Sequence, residues 1–405
     1  MTLSPMYLSR PGVLSALGEG IEQNISRLLA PETVPPLTCS DAWIQGRSIP
    51  FGQVKTPLRA FPESLPQIHV SRNNRLLWHA MQDLEATLDH ALARFGAERV
   101  GAVLGTSTSG VDENRPAFQA VADGASWRDV CFSQDHQLLS SPASFIEHQY
   151  DLRGPCYSIS TACTSGARAL ISAARLLRSN VCDAVVCGGV DCLSLLTING
   201  FASLEVLTDR VAEPFSAARC GINIGEAAAV FVMTREPLDS DCAVYLGDGS
   251  SSDAWHMSSP RPDGAGAIAA IKAALSRSGL HSSDIGWINL HGTGTQLNDE
   301  MESHAVAACF GHGLFCTSTK PYTGHTLGAA GALEAAIAWG MLSRQLNPTG
   351  RLPPHHGHAN RDPALPPLRL TDNNSHWPSA RRRIALSSSF AFGGNNTVLL
   401  LGETT

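Results

Sequence analysis

Two distant stretches of this chain follow one plan, and that echo limits the fold more than anything else in the sequence. Residues 155–178 read PCYSISTACTSGARALISAARLLR: a short apolar run, then Ser160-Thr161-Ala162, then Cys163 where a helical pattern begins. In the second stretch, a strand over 314–318 leads through Thr319-Lys320-Pro321-Tyr322-Thr323-Gly324 to His325, and a helix over 327–342 follows, rich in Ala and Gly. Each reads as strand, turn, reactive side chain and small-residue helix. Alternating strands and helices define an α/β chain. A duplicated unit of this kind would bring both helix N-termini to one central site.

The remaining pattern fits two such halves, 1–242 and 243–405. Ser71 is placed to cap a helix over 72–95, with Leu76, Leu77, Met81, Leu84 and Leu88 on one face. Strands are expected over 99–105, 183–188 and 227–233, with a short helix over 142–150. Residues 30–66, rich in Pro, read as a surface excursion, and the stretch between 188 and 227 reads as coil. In the second half a helix over 264–279, a strand over 285–290 and strands over 383–388 and 397–401 are expected, with coil over 352–377.

At 405 residues, with 43% hydrophobic and 16% charged residues, the chain can bury a large core. A net charge of −7, without a Lys/Arg run, argues against nucleic-acid binding. Eleven scattered cysteines do not form a disulfide framework and point to a reducing, cytosolic compartment. Cys182, Cys187 and Cys192 lie along an expected strand and its exit, too far apart to hold a single zinc. No signal peptide and no run of ~20 apolar residues are visible, so no membrane span is expected.

Three polar constellations carry chemistry. Cys163 lies where unpaired backbone N–H groups and the positive end of a helix dipole favour thiolate, which makes it a candidate nucleophile; a buried structural cysteine is the alternative. His291, in NLHGTGT, directly follows a strand, with Gly292 and Gly294 permitting close approach and Thr293 and Thr295 offering hydroxyls. His325 follows Thr323-Gly324 at a helix start. The HHGH cluster at residues 355–358 reads as surface loop rather than a metal site. FAFGGNN, residues 390–396, reads as a tight turn whose backbone N–H groups could serve an oxyanion hole.

SISTACTSG, LHGTGT, KPYTGH followed by LGAAGALEAA, and SFAFGGNN together resemble the signature of β-ketoacyl-acyl carrier protein synthases, in the branch that elongates acyl chains with a Cys-His-His site. The resemblance runs from residue 155 to 401. It implies a thiolase-like fold, with duplicated α/β halves in a layered αβαβα arrangement and usually a dimer. It also implies decarboxylative Claisen condensation: an acyl group on Cys163 is joined to malonyl-acyl carrier protein, giving β-ketoacyl-acyl carrier protein and CO₂. By this resemblance His291, His325 and Lys320 are catalytic, and the N–H groups of Cys163 and Phe392 form the oxyanion hole. Phe392 is the gate, Thr293 and Thr295 hold phosphopantetheine, and Glu334, Asp299 and Glu302 give structural support. Arg72, Arg75 and Arg219 fall near carrier-protein contacts, and Thr108 lies where the acyl pocket is lined.

No metal and no other cofactor are implied, since substrates ride on the phosphopantetheine of acyl carrier protein. The expected partner is a second copy or a ketosynthase paralogue such as a chain-length factor. Departures from the common pattern, including Ala391 for a frequent glycine and LSRPGVLSALG in the first strand, bear on the acyl substrate. They leave a specialised polyketide or aryl-polyene system beside fatty-acid synthesis. Two other readings compete: a non-catalytic chain-length-factor-type subunit, opposed by the intact Cys163 and histidines, and a degradative thiolase, which would need a second cysteine near FAFGGNN.

Overall fold

The computed structural model describes residues 3–30, 34–378 and 381–404. Its strands are β1 (Met6–Ser9), β2 (Gly12–Ser15), β3 (Gly18–Glu19), β4 (Thr38–Ser40), β5 (Ile49–Phe51), β6 (Val100–Gly105), β7 (Cys156–Ile159), β8 (Ala184–Asp191), β9 (Ala227–Thr234), β10 (Cys242–Ser252), β11 (Trp287–Asn289), β12 (Phe315–Thr317), β13 (Arg369–Leu370), β14 (Ile384–Phe390) and β15 (Asn395–Glu403). The helices are α1 (Gly20–Leu28), α2 (Arg72–Met81), α3 (Glu85–Phe95), α4 (Arg115–Ala122), α5 (Ser141–Tyr150), α6 (Ser165–Arg178), α7 (Leu195–Ser203), α8 (Ala265–Ser278), α9 (Gln296–Phe310), α10 (Lys320–Thr323) and α11 (Ala330–Leu342).

Among the described residues the strands run in the order β13-β12-β11-β14-β15-β10-β1-β9-β8-β6-β7, with β2 and β3 branching from β9. The echo in the sequence becomes an echo in topology. β6 is parallel to β7 and β8, and β8 is antiparallel to β9. In the same way β11 is parallel to β12 and β14, and β14 is antiparallel to β15. β7 leads into α6 and β12 leads toward α11.

Side chains then sort into layers by the two-residue period of a strand. On β9, Ala227, Ala229, Phe231 and Met233 face a central core with α6 and α11, while Ala228, Val230 and Val232 face α2 and α3. On β15, Leu399 and Leu401 join the same central core, and Val398 and Leu400 face α8. α6 packs on β6 and β8 and reaches β15, and α11 packs on β14 and reaches β9. The two central helices therefore lie between two sheet halves, each covered outside by further helices. α11 is buried along its whole length, which explains a sequence without an amphipathic stripe. The pair meets at glycines: a Cβ on Gly331 would lie 2.7 Å from Ala167 Cβ, and one on Gly166 would lie 2.9 Å from Ala332 Cβ.

Several expectations need correction. The helix expected over 72–95 is broken by a 3₁₀ turn at Gln82–Leu84, although Ser71 caps it as expected by accepting from Asn74 N–H at 3.1 Å. The stretch read as coil between β8 and β9 contains α7, and the excursion over 30–66 contains the β4–β5 hairpin. No helix among the described residues is long and apolar enough to cross a membrane.

Candidate active site

β7 delivers the chain to a tight turn in which Ala162 adopts φ 53°, a left-handed conformation unusual for a residue with a Cβ. Hydrogen bonds hold it: Thr161 N–H donates to Ser165 Oγ at 2.9 Å, and Ser165 Oγ donates to Ala162 O at 2.6 Å. α6 starts only at Ser165, so Cys163 stands just ahead of the helix. Its sulfur is buried, and burial pushes the thiol up to about 12, opposed by the Lys320 charge and by its own N–H and reinforced by Asp191 and Glu334. Burial thus works against the thiolate that the helix terminus was expected to favour. Desolvation of the charged form outweighs the helix terminus.

The second half supplies two imidazoles from differently built turns. His291 follows β11, and its N–H donates to Glu302 at 2.7 Å, as does that of Gly292. Ser388 Oγ donates to the same carboxylate at 2.8 Å. Burial raises Glu302 to about 7 against the pull of these donors. Asp299, raised by burial to about 6, accepts from Gly294 N–H at 3.2 Å and Phe215 N–H at 2.8 Å. The two acids on α9 therefore hold both ends of the HGTGT loop. Thr293 and Thr295 present hydroxyls 3.0 Å apart.

His325 is tied to the first half: its N–H donates to Asn223 O at 2.6 Å, and its carbonyl accepts from Gly225 N–H at 3.0 Å. Its Nε2 lies 3.0 Å from Cys163 Sγ. The His291 ring meets it edge to face, centroids 5.4 Å apart. Both imidazoles are held well below their ordinary value, first by burial and then by the Lys320 charge, so both are neutral near pH 7. Lys320 is paired with Glu334, both buried. Neither hydrogen-bonds His325, whose Nδ1 has no protein partner, so an orienting role through direct contact is not what the geometry shows.

Cys163, His291, His325, Thr293, Thr295 and Phe392 line one cavity of about 390 Å³. Phe392 lies on the turn after β14, partly exposed, its ring 5.8 Å from Phe201 on α7. Gly393 and Gly394 adopt φ 82° and 78°, and Gly393 N–H donates to Met257 O at 2.8 Å, tying the turn to the segment after β10.

Other expected site residues fall elsewhere. Arg219 is buried and paired with Asp362 at 2.5 Å, so it is not a surface contact for a partner protein. Arg72 is half-exposed and committed to the buried Glu226 through two bonds, at 2.5 and 2.9 Å, whereas Arg75 is exposed beside the Phe61 ring. Thr108 is not among the residues lining the cavity and faces Asp191 instead. The HHGH cluster is not wholly surface loop. His355 is buried, its Nδ1 accepting from Ser318 N–H at 3.1 Å and its Nε2 2.9 Å from Pro214 O, which leaves neither nitrogen for a metal. Sequence reasoning missed Phe201, Glu226 and Asp191. The last had a visible signal, a carboxylate ending the apolar run AVVCGGVD.

Comparison with known proteins agrees with this architecture. The β-ketoacyl synthase N-terminal domain model matches residues 71–238, and the C-terminal domain model matches 242–351. The 3-oxoacyl-[acyl-carrier-protein] synthase 2 of Coxiella burnetii is 31% identical over 97% of both chains, and nodulation protein E of Rhizobium meliloti is 32% identical over 75% of both. The solved structure of the ketosynthase ApeO in complex with its chain length factor ApeC, from Xenorhabdus doucetiae, matches with a TM-score of 0.91 and 42% identity, covering 99% of this chain and 98% of that one. The chain belongs to the β-ketoacyl synthase family, with its thiolase-like fold. Its activity is that of a β-ketoacyl-acyl carrier protein synthase, a condensing enzyme of fatty-acid or polyketide chain elongation.

Proposed function

We propose that Cys163 takes up the acyl group as a thioester and that His291 and His325 drive decarboxylation of the malonyl extender. The observation that carries this is the approach of His325 Nε2 to within 3.0 Å of Cys163 Sγ, with His291 against the same ring in one cavity. The buried thiol attacks the incoming thioester, and its proton passes by way of the adjacent His325 to the departing pantetheine sulfur. The N–H groups of Cys163 and Phe392 receive the oxyanion. In the second step both neutral imidazoles donate to the malonyl thioester carbonyl; as CO₂ leaves, negative charge grows on that oxygen, and preplaced donors lower the barrier. The carbanion then attacks the acyl-Cys163 thioester, the thiolate leaves, and a proton taken up from solvent restores the thiol. Decarboxylation supplies the nucleophile, so the reaction needs no cofactor of its own.

Thr293 and Thr295, facing the cavity, suit the amide-rich phosphopantetheine arm, and Phe392 beside Phe201 suits a gate between acyl and malonyl sites. Acyl carrier protein delivers both substrates, with Arg75 the exposed cation of the three expected contacts. The likeness to ApeO, 42% identical, exceeds that to the fatty-acid enzymes, about 31%. Because that ketosynthase was solved in complex with its chain length factor, the likeness supports pairing with a chain-length-factor-type paralogue; the reading taken is a cytoplasmic enzyme of specialised polyketide or aryl-polyene elongation. A non-catalytic subunit is not favoured, because nucleophile and both histidines meet. Intact-protein mass spectrometry after incubation with a panel of acyl carrier proteins tests the reading. An acyl adduct on the wild type and none on Cys163→Ala is expected, and equal labelling of both would refute it.

A further inference from the structure

Asp191, at the end of β8, is fully buried and belongs to none of the steps above. Its carboxylate collects donors from two distant parts of the chain. From the loop after β6 come Thr106 Oγ1 at 2.7 Å, Ser107 N–H at 2.9 Å, Ser107 Oγ at 2.5 Å, and the Thr108 N–H and hydroxyl at 3.3 and 3.4 Å. From the second half comes Gly328 N–H, at 2.6 Å. A carboxylate with this many donors is strongly fixed, and the contact is too close for a side chain on the partner. A Cβ on Gly328 would lie 2.6 Å from Asp191 Oδ2 and 2.6 Å from Ser107 N.

Gly328 lies three residues beyond His325, and between them Leu327 holds φ 49°. An L-residue in this left-handed region is strained, so the turn persists only where its surroundings hold it. The His325 backbone is gripped upstream by Asn223 and Gly225, and Asp191 grips the chain downstream. Without the second grip, the turn can relax away from Cys163. Misplacement of a reacting group by about 1 Å can cost ~100-fold in rate.

We infer that Asp191 is a positioning residue of the condensation: it clamps the Leu327–Gly328 turn of one half to the Thr106–Thr108 loop of the other and so fixes His325 against Cys163. The inference rests on the role proposed for His325. In Asp191→Asn the amide retains shape but replaces an acceptor oxygen by a donor facing donors.

The test uses the full-length enzyme and separates three readouts: melting temperature, acylation of Cys163 by intact mass, and kcat and KM for CO₂ release from malonyl-acyl carrier protein. Asp191→Asn should lower kcat for CO₂ release at least tenfold, with KM within about threefold of wild type and Cys163 acylation slowed by a smaller factor, since His325 touches the sulfur in that step. Thr106→Val removes one donor without touching the His325 turn and should move kcat the same way by a smaller factor; it decides the matter if the Asn variant does not fold. A folded Asp191→Asn, or failing that Thr106→Val, with wild-type kcat would overturn the clamp. So would equal loss of acylation and CO₂ release together with a collapsed melting temperature in both variants, which marks a merely structural carboxylate. His325→Ala, run in parallel, separates the two claims: if it releases CO₂ at the wild-type rate, the His325 role fails, whereas its loss beside an unaffected Asp191→Asn defeats only the clamp.

Discussion

The turn before α6 and the turn before α11 are built alike and used differently. Each follows a strand, bends through a left-handed non-glycine residue, Ala162 in one and Leu327 in the other, and opens a helix that buries small residues against its counterpart. The first turn points a polarisable sulfur into the cavity and is closed by its own hydroxyls, Thr164 and Ser165. The second holds an imidazole, and its support comes from outside: Asn223, Gly225 and Asp191 of the first half. The difference teaches why the reaction needs both. A nucleophile must move its electrons and later leave, while a donor to a developing oxyanion gains by not reorganising at all.

The sharpest way to break this comparison is to remove one side chain from each turn and follow the half-reactions separately. Cys163→Ala should abolish acylation and lower condensation by a factor on the order of 10⁴ or more. His325→Ala and His291→Ala should still take up the acyl group but lose CO₂ release, by roughly 10²–10³-fold each, as for removal of an oxyanion donor. His325→Ala should also slow acylation more than His291→Ala does, because only His325 touches the sulfur. Rapid-quench measurement of CO₂ beside intact-mass acylation separates the two turns. Equal loss of both half-reactions in every variant would erase the division of labour.

The charge behind the second turn gives a smaller effect. Lys320 and Glu334 are buried together, and Lys320→Met would strand Glu334 in the core. Breaking such a pair costs ~3–5 kcal/mol, whereas replacing both members by apolar residues of similar volume is often near neutral. Chemical denaturation should therefore show a large loss for Lys320→Met and substantial recovery in Lys320→Met/Glu334→Leu. A double variant as unstable as the single would show that the pair acts through packing alone.

Proton balance sets the next test. Both imidazoles are depressed well below 6.5 by burial and by Lys320, so they stay neutral until the pH falls well under that value. The imidazoles should accordingly give condensation no acid limb centred near pH 6.5, their own loss beginning lower; a limb there would come from Glu302 or Asp299, raised to about 7 and about 6, and should persist in His291→Ala. In Lys320→Met the charge shared by both rings is gone, and their limb should move up toward 6.5. A wild-type inflection at 6.5 that vanishes in His291→Ala would contradict the electrostatic account.

How much of this was legible follows from where the physics is local. Cys163, His291 and His325 could be read because each sits in a cluster of Gly, Ser and Thr that ordinary strand–helix joints do not need. The α/β class could be read because period-2 and period-3.6 patterns alternate. α9 was missed because its buried face carries Asp299, Glu302 and Ser303, so the polar residues that grip the HGTGT loop hid the helix that presents them. α7, LLTINGFAS, was missed because Asn-Gly reads as a turn. The resemblance puts Arg219 near carrier-protein contacts, but its partner Asp362 lies far along the chain, and no local pattern tells a paired arginine from a free one. Cys163 was assigned a ready thiolate because a helix terminus is visible in sequence, whereas the depth of the sulfur is not.

The smallest effect probes the shared bend itself. Ala162→Gly removes a Cβ from a left-handed residue, gaining ~1–2 kcal/mol of strain relief, against ~0.5–1 kcal/mol of added chain entropy in the unfolded state. The net should be a stability gain within about 1 kcal/mol, with acylation nearly unchanged. Leu327→Gly offers the same dihedral relief, yet Leu327 is buried in the cluster with Ile198, Leu207, Ile222 and Ile224. Loss of such a side chain costs ~2–5 kcal/mol, so the relief is overwhelmed. Urea titration of the two variants should give opposite signs for one backbone geometry. If both stabilise, the left-handed bend is a strain the fold merely tolerates in each half. If both destabilise, the Ala162 methyl contributes packing near the sulfur, and the two turns are more alike in use than their chemistry suggests.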